Sequence, residues 1–420
     1  MQKIKLGDVL DVKRGASLSG DYYAEEGKYV RLTLGNFNYP GGGFKENTSK
    51  SDIYFVGPIK PEFILNKGDI ITPLTEQVSG LLGETATVPE GGKYIQSGDV
   101  GLVIPDETKL DKRFAYYLIA SPIVKKQLDA AAQQTKIRHT SPDAIKACEA
   151  WIPEDISMQA SIGRLLDDIN EKIANNNTIC SNLEALAKLL YDYWFVQFDF
   201  PDENGKPYKS SGGKMVWNDE LKREIPAEWE VGNLYDIAIF INGLACQNYR
   251  PVDDSHKLPV IKIGEMHNGI GTNVEWARDD VPQKNIIDNG DILFSWSASL
   301  EVMLWNKGKG VLNQHIFKVV PQRYDKSYVF QQLAGYIINF VKMAEARKTT
   351  MGHITTDHLI QSRIALPPIE LSKKYGEYVE GIYSKLLNCS VENEQLASLR
   401  DFLLPMLMNG QVKVGKDNNT

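Results

Sequence analysis

The stretch Ser157 to Phe198, SMQASIGRLLDDINEKIANNNTICSNLEALAKLLYDYWFVQF, is the longest uninterrupted helical signal in the chain. Apolar or small residues stand at Ile162, Leu166, Ile169, Ile173, Cys180, Leu183, Ala187, Leu190 and Trp194, with Asn176 the one clearly polar member of the series. Steps of four and three alternate throughout. That is a heptad seam rather than the wider apolar stripe of a helix lying on a globular surface. Ser157 is placed to cap the start, and no proline interrupts the run before Pro201. A helix of this length reaches about 60 Å. One compact domain does not need such a rod, so it is expected to separate or join other parts of the chain.

A second rod follows from Ser372 to about Met408, and a shift of 213 residues brings it into register with the first. Tyr375 then stands for Ile162, Val379 for Leu166, Ile382 for Ile169, Leu386 for Ile173, Leu396 for Leu183, Leu403 for Leu190 and Leu407 for Trp194. The segments before the rods repeat as well. Gly68-Asp-Ile70 returns as Gly290-Asp-Ile292, the helical region Arg113–Ala132 as Tyr328–Ala346, and the loop ending at His139 as the loop ending at His353. Two copies at so long a period make a duplicated domain-plus-helix unit, not a solenoid. Two heptad rods in one chain most simply pair with each other, and the large segment between their facing ends favours an antiparallel pair. That alignment sets Asn176 opposite Asn393 and Cys180 opposite Cys389, an arrangement in which a polar layer fixes register at some cost in stability. Pro405 is expected to fray the last turn of the second rod.

Composition bounds the function. The chain has 420 residues, enough for two or more domains, and carries a net charge of −7. Residues 151–225 hold 8 basic and 13 acidic groups, whereas residues 1–150 hold 19 of each. The acidity therefore lies around the first rod and leaves each bulky region free to present a basic face. No apolar run approaches the ~20 residues of a membrane span, and no signal peptide is recognisable, so a cytoplasmic location with no membrane partner is expected. Cys148, Cys180, Cys246 and Cys389 show no paired spacing, and the six histidines lack metal-ligand spacing. There is no P-loop, and neither Pro105-Asp-Glu-Thr-Lys109 nor Leu366-Pro-Pro-Ile369 completes a nuclease or methyltransferase motif. No catalytic residue and no metal site is assigned.

The duplicated plan resembles the specificity (S) subunit of type I restriction–modification systems. The resemblance is carried by Gln159, Ile162, Leu165-Leu-Asp-Asp-Ile-Asn-Glu-Lys-Ile173, Asn175-Asn-Asn177, Leu183-Glu-Ala-Leu-Ala187 and Trp194-Phe-Val-Gln-Phe-Asp-Phe-Pro201, together with the two Gly-Asp-Ile motifs and Leu312-Asn-Gln-His-Ile-Phe317. The second rod departs from the pattern at Glu370-Leu371, Gly376, Gly381 and Pro405. What the resemblance implies is an α+β fold. Two target-recognition domains of mixed α/β structure, 1–153 and 226–368, would be separated by long antiparallel helices, 154–200 and 369–410, forming an intramolecular coiled coil with an internal pseudo-two-fold repeat. A linker, 201–225, and a tail, 411–420, complete the plan.

The implied role is non-catalytic: each domain reads one half of a bipartite, asymmetric site in double-stranded DNA. Two modification (methyltransferase) subunits with S-adenosylmethionine, and two restriction subunits with ATP and Mg, would supply the chemistry, leaving no cofactor in this chain. Loops at equivalent places, rich in side chains able to donate to bases and phosphates, supply the candidate DNA contacts. In the first half these are Arg31, Asn36, Asn38, Thr75, Gln77, Gln96, Lys136 and Arg138; in the second, Lys262, His267, Asn268, Ser295, Ser297, Lys309, Asn313, Gln314 and Thr349. Two other classes remain open: a coiled-coil adaptor that binds only proteins, and a self-contained methyltransferase or nuclease with an unrecognised site.

Overall fold

A computed structural model of the chain describes all residues except 40, 77–79, 133–137, 272, 298, 347–352, 413 and 415–420, with backbone alone at 344–346. The chain divides into two units, Met1–Ile173 with Leu396–Thr420, and Ala174–Gln395. Each long helix contributes one stretch to each unit.

The first long helix runs Ile156–Tyr191. Its cap is Asp155 rather than Ser157: Asp155 Oδ1 accepts from the Ser157 N–H at 2.8 Å, and its carbonyl accepts from Met158 and Gln159. An aspartate here satisfies orphan donors and also complements the positive end of the helix dipole. The far end stops short of Phe198. Asp192–Val196 forms a π turn, closed by Gln197 N–H donating to the Asp192 carbonyl at 2.8 Å. The wider turn lets Tyr191, Trp194, Phe195 and Phe198 all join one core with Trp229, Tyr328 and Tyr375. Phe198 takes φ of 65°, a left-handed conformation rare for a bulky side chain, and burial of its ring offsets the strain.

The second long helix, Ile369–Met408, begins directly after Pro367-Pro368 and continues through Pro405 instead of fraying there. Proline at that point removes one backbone donor and crowds the preceding turn. The turn persists because Leu407 and Met408 are buried in the core of the first unit, with Leu403 and Leu404 packed against it.

In the first unit, Gln2–Lys5 pairs antiparallel with Glu149–Ile152. The main sheet has the order Leu10–Arg14, Val100–Pro105, Ile70–Pro73, Ala86–Thr87, and a second sheet contains a parallel pairing of Val30 with Tyr94. In the second unit, Glu230–Asn233 pairs with Arg363–Leu366. Its main sheet has the order Ala238–Asn242, Ile316–Pro321, Ile292–Ser295, Glu301–Leu304, and its second sheet contains a parallel pairing of Val260 with Val311. The main sheets have the same order of pairings, whereas the second sheets differ at an edge, where Tyr23–Ala24 pairs with Tyr54–Phe55 in the first unit and Ile286–Ile287 with Gly310 and Val311 in the second. The Gly-Asp-Ile motifs explain part of the shared plan. Gly68 and Gly290 take φ of 86° and 89°, conformations that favour glycine. Asp69 and Asp291 then accept from the N–H three residues back, each at 2.8 Å, and the isoleucines open buried strands.

Each unit also docks a shorter helix end-on against a long one. Lys112–Ile119 is capped by Asp111, whose own N–H donates to the buried Gln159 side chain at 2.9 Å. In the second unit Asp325 caps Lys326–Ala346, its Oδ1 accepting from the Ser327 N–H at 2.7 Å, while the Asp325 N–H donates to Ser372 Oγ at 3.3 Å. Gly163 and Gly376, 213 residues apart, make these approaches possible. A Cβ on Gly163 would lie 2.7 Å from Arg113 Cβ and 3.0 Å from Phe114 N, and one on Gly376 would lie 2.2 Å from the Asp325 carboxyl carbon. Gly376 is thus the counterpart of Gly163, not an irregularity of the second rod.

Within the second unit, Asn176 Nδ2 donates to Asn393 Oδ1 at 2.9 Å and to Glu392 at 2.8 Å. Asn393 Nδ2 in turn donates to Asn177 Oδ1 at 2.8 Å. Cys180 packs beside Cys389, and burial followed by this neighbour raises the Cys180 thiol pKa. Trp194 lies edge-on to Tyr375, 5.7 Å between ring centres. In the first unit Arg400 Nη1 donates to Asn170 Oδ1 at 3.1 Å.

Gly→Ala in a helix interior normally stabilises by about 1 kcal/mol. Nothing lies within 4 Å of a Cβ built on Gly381, so Gly381→Ala should raise the urea midpoint of the chain. Gly163→Ala and Gly376→Ala should each lower it, by about 1–3 kcal/mol of stability. Equal shifts for the three variants would refute the close-approach argument.

Candidate nucleic-acid interface

The same three backbone segments converge at one place in each unit. In the first, Leu74 N–H donates to the Asp99 carbonyl at 2.8 Å, and Thr140 N–H donates to the Leu74 carbonyl at 2.9 Å. Thr75 and Glu76 pair with His139 and Arg138. In the second, Trp296 N–H donates to the His315 carbonyl at 3.3 Å, and Ile354 N–H to the Trp296 carbonyl at 3.0 Å. Gly15 and Gly243 let a fourth segment approach: a Cβ would lie 2.3 Å from the Ser97 carbonyl in one and 2.0 Å from the Asn313 carbonyl in the other. Loops carried on a rigid sheet are where binding groups concentrate.

The side chains on this common frame are unlike. In the first unit Glu76 is the anchor. Its buried carboxylate accepts from the N–H groups of Gly80 at 3.0 Å and Leu82 at 3.1 Å and pairs with Arg138 at 2.9 Å. Arg138 is held a second time by Asp129, at 2.6 Å. Arg14 donates to the Thr140 carbonyl at 3.3 Å. In the second unit Trp296 is central. Its indole N–H donates to Asn242 Oδ1 at 3.2 Å, and the His315 and His353 rings each lie 5.6 Å from it. His315 Nδ1 is buried with no hydrogen-bond partner among the described residues.

The residues singled out from sequence fall into distinct places. Arg31, Asn36, Thr75, Gln96, Ser295 and Ser297 are buried, and four of them make bonds that hold loops. Arg31 donates to the Asp52 carbonyl at 2.9 Å and lies 3.7 Å from the Tyr23 ring centre. Asn36 closes a turn by accepting from the Thr33 N–H at 2.9 Å. Gln96 donates to the carbonyls of Lys13 at 2.6 Å and Val100 at 2.8 Å, and Ser295 to the Ser299 carbonyl at 2.6 Å. Asn38, His267, Asn268 and Lys309 are exposed, and Arg138, Lys262, Asn313 and Gln314 are half-buried. Gln77, Lys136 and Thr349 lie outside the described residues.

Ser295, Ser297, Asn313 and Gln314 surround Trp296 and His315, and Gln314 Nε2 is 3.4 Å from His315 Nε2. Lys262 adjoins them, since Asn313 N–H donates to the Ile261 carbonyl at 3.0 Å. It also pairs with Glu275 at 2.5 Å. Lys309 stands beyond the opposite end of the strand Gly310–Leu312, away from that group. Glu76, Arg14, Asn242 and Trp296 escaped the sequence reading, and His315 entered it only within Leu312-Asn-Gln-His-Ile-Phe317, not as a contact residue. For Arg14 and Asn242 the signal is position, since each directly precedes a strand-end glycine.

Among the described residues no group of three or more His, Cys, Asp or Glu could hold a metal ion, and no helix is long and apolar enough to cross a membrane. The family model described as the type I restriction modification DNA specificity domain matches residues 1–185 and 226–395. The chain belongs to this family. Among its relatives, the type I restriction enzyme MjaIX specificity subunit of Methanocaldococcus jannaschii is 22% identical over 329 residues, covering 74% of this chain and 71% of the relative. The HindI specificity subunit of Haemophilus influenzae is 24% identical over 324 residues, covering 64% of this chain and 70% of the relative. In fold, the chain resembles the crystal structure of a type I restriction–modification system S subunit from M. genitalium. That match has a TM-score of 0.56 and 16% identity, covering 97% of this chain and 96% of the other.

Removing the Glu76 charge leaves two backbone donors and Arg138 with a weaker acceptor. Glu76→Gln should therefore speed hydrogen exchange at the amides of Gly80 and Leu82 about tenfold or more, for a loss of about 1.5–3 kcal/mol. Unchanged exchange at those amides would remove Glu76 as the organiser of the loop.

Proposed function

We propose that this specificity-subunit family member is the DNA-reading, non-catalytic subunit of a type I restriction–modification complex. Domains 1–153 and 226–368 each read one half of a bipartite, asymmetric site in double-stranded DNA. The long helices pair as an antiparallel coiled coil that relates the domains by a pseudo-two-fold repeat and sets the half-site spacing. Two modification subunits, with S-adenosylmethionine and adenine-methyltransferase chemistry, dock beside the helices. Two restriction subunits with ATP and Mg complete the nuclease, and this chain holds no cofactor of its own. The observation that carries the reading is the common three-segment frame bearing Glu76 and Arg138 in one unit but Trp296 and His315 in the other. Equal scaffolds with unequal side chains suit unequal half-sites.

Of the exposed and half-buried candidates, Lys309 suits a phosphate contact and Gln314 a base contact, since a carboxamide can pair bidentately with adenine. In fluorescence titrations of the chain with its modification partner, Lys309→Ala should weaken binding to all duplexes alike. Gln314→Ala should cost about 1–3 kcal/mol on the preferred sequence and relax the preference at one position. Identical behaviour of the two variants would contradict these roles. Detectable S-adenosylmethionine binding by the chain alone would favour a self-contained methyltransferase instead.

The asparagine layer supplies the alignment in this reading, and Cys180 beside Cys389 supplies a reporter for it. Asn176→Leu with Asn393→Leu should stabilise the helices yet lower the yield of the oxidative Cys180–Cys389 cross-link, because an apolar layer permits other registers. An unchanged yield, with unchanged half-site spacing, would show that the asparagines do not set the alignment.

A further inference from the structure

The family match leaves residues 186–225 uncovered, and the connector expected at 201–225 is itself folded. Met215–Asn218 pairs with Arg223–Pro226 as a hairpin. Before it lies a tight loop, Lys206-Pro-Tyr-Lys-Ser-Ser-Gly-Gly-Lys214, with three lysines and no acid in a chain of net charge −7. All three lysines are exposed. Among the described residues none of them is ion-paired, whereas nearby Lys222 reaches Asp219 at 3.9 Å and Arg363 reaches Glu220 at 3.2 Å. Two of the three flanking carboxylates, Asp199 and Asp202, are occupied by donors of this segment, and Glu203 is exposed. Asp199 accepts from Ser210 N–H at 2.7 Å and Ser210 Oγ at 2.6 Å, and Asp202 accepts from the N–H groups of Asn204 and Lys206, each at 2.8 Å.

The loop is rigid by construction. Tyr208 stacks on Phe200 with ring centres 4.7 Å apart, and Phe200 stacks on the buried Trp229 at 5.8 Å. The Tyr208 hydroxyl donates to the Lys214 carbonyl at 3.0 Å. A Cβ on Gly213 would lie 2.5 Å from the Tyr208 ring, and Gly212 takes φ of 90°. Tyr208 and Pro207 turn partly inward, so the outer surface carries only Lys206, Lys209, Ser210, Ser211, Gly212 and Lys214. The loop itself exposes no apolar or aromatic anchor of the kind a protein interface needs, and the exposed Val216 and Trp217 belong to the hairpin strand that follows it. A phosphate backbone needs cations, small hydroxyls and room for close approach, all of which the loop offers.

We propose that Lys206, Lys209 and Lys214 form a DNA-backbone contact outside the recognition domains, adding sequence-independent affinity. This rests on the reading of the chain as a DNA-binding subunit. The test is a salt titration of duplex binding by the full chain purified with its modification partner, with the variant carrying Lys206→Ala, Lys209→Ala and Lys214→Ala. Each lost phosphate contact flattens the slope of log K against log salt by about 0.9. The variant's slope should be shallower by about 2.7, so raising salt from about 50 to 200 mM should cost it ~40-fold less affinity than the unaltered complex. Its ratio of site to scrambled-sequence binding should not change, and the triple Lys→Arg variant should keep the original slope. An unchanged slope overturns the proposal. So does loss of slope in both triple variants, or a defect confined to assembly with the modification partner, which would make the loop a protein-docking surface. Site preference of the unaltered complex is read in the same titrations, so failure of half-site reading shows separately from failure of the lysine contact.

Discussion

The constraint on which the rest depends is the close approach of a helix end to a helix flank, made once in each unit. At Gly163 the start of Lys112–Ile119 comes within reach of the long helix only because no Cβ intervenes, and Gly376 does the same for the start of Lys326–Ala346. In both places the capping aspartate donates its own N–H to a side chain one turn earlier on the long helix, Gln159 or Ser372. The pairing of a buried polar partner with an absent side chain fixes both the distance and the angle of the helix. Behind that contact the core closes: Phe114 and Leu118 meet Ile162 and Leu166 in one unit, and Tyr328 meets Tyr375 and Val379 in the other. The strands that carry the loops are built onto those helices.

Much of this was legible in the chain. The alternation of four and three residues marks both long helices, because side chains buried along one face of a helix recur at that spacing. The 213-residue echo anticipates the like order of strands in the two main sheets. The glycines were harder, since what makes Gly376 necessary is Asp325, fifty-one residues away in sequence. The π turn at Asp192–Val196 and the intact turn at Pro405 escaped for a related reason. Local propensity argued one way, and the burial of Trp194 and Phe195, or of Leu407 and Met408, decided the other.

The candidate interface was legible as a set of loops but not residue by residue. Arg31, Asn36, Gln96 and Ser295 are polar residues beside turns, which in sequence is the mark of a contact residue and of a loop clasp alike. In the structure they act as clasps. Backbone groups at the ends of short strands need partners, and a side-chain amide or guanidinium supplies them locally. Trp296 and His315 were not assigned as contacts for the opposite reason: aromatic residues next to a strand look like core. Only their half-burial and a His315 nitrogen with no hydrogen-bond partner among the described residues set them apart.

The central claim of the proposed function is that one chain carries two unlike readers at a fixed separation. The measurement that bears on it most directly is a genome-wide map of modified adenines in cells expressing this chain with its modification partner. The account predicts a single bipartite motif, two unlike half-sites divided by a spacer of constant length. A palindromic motif, a spacer of variable length, or no motif above background would contradict it.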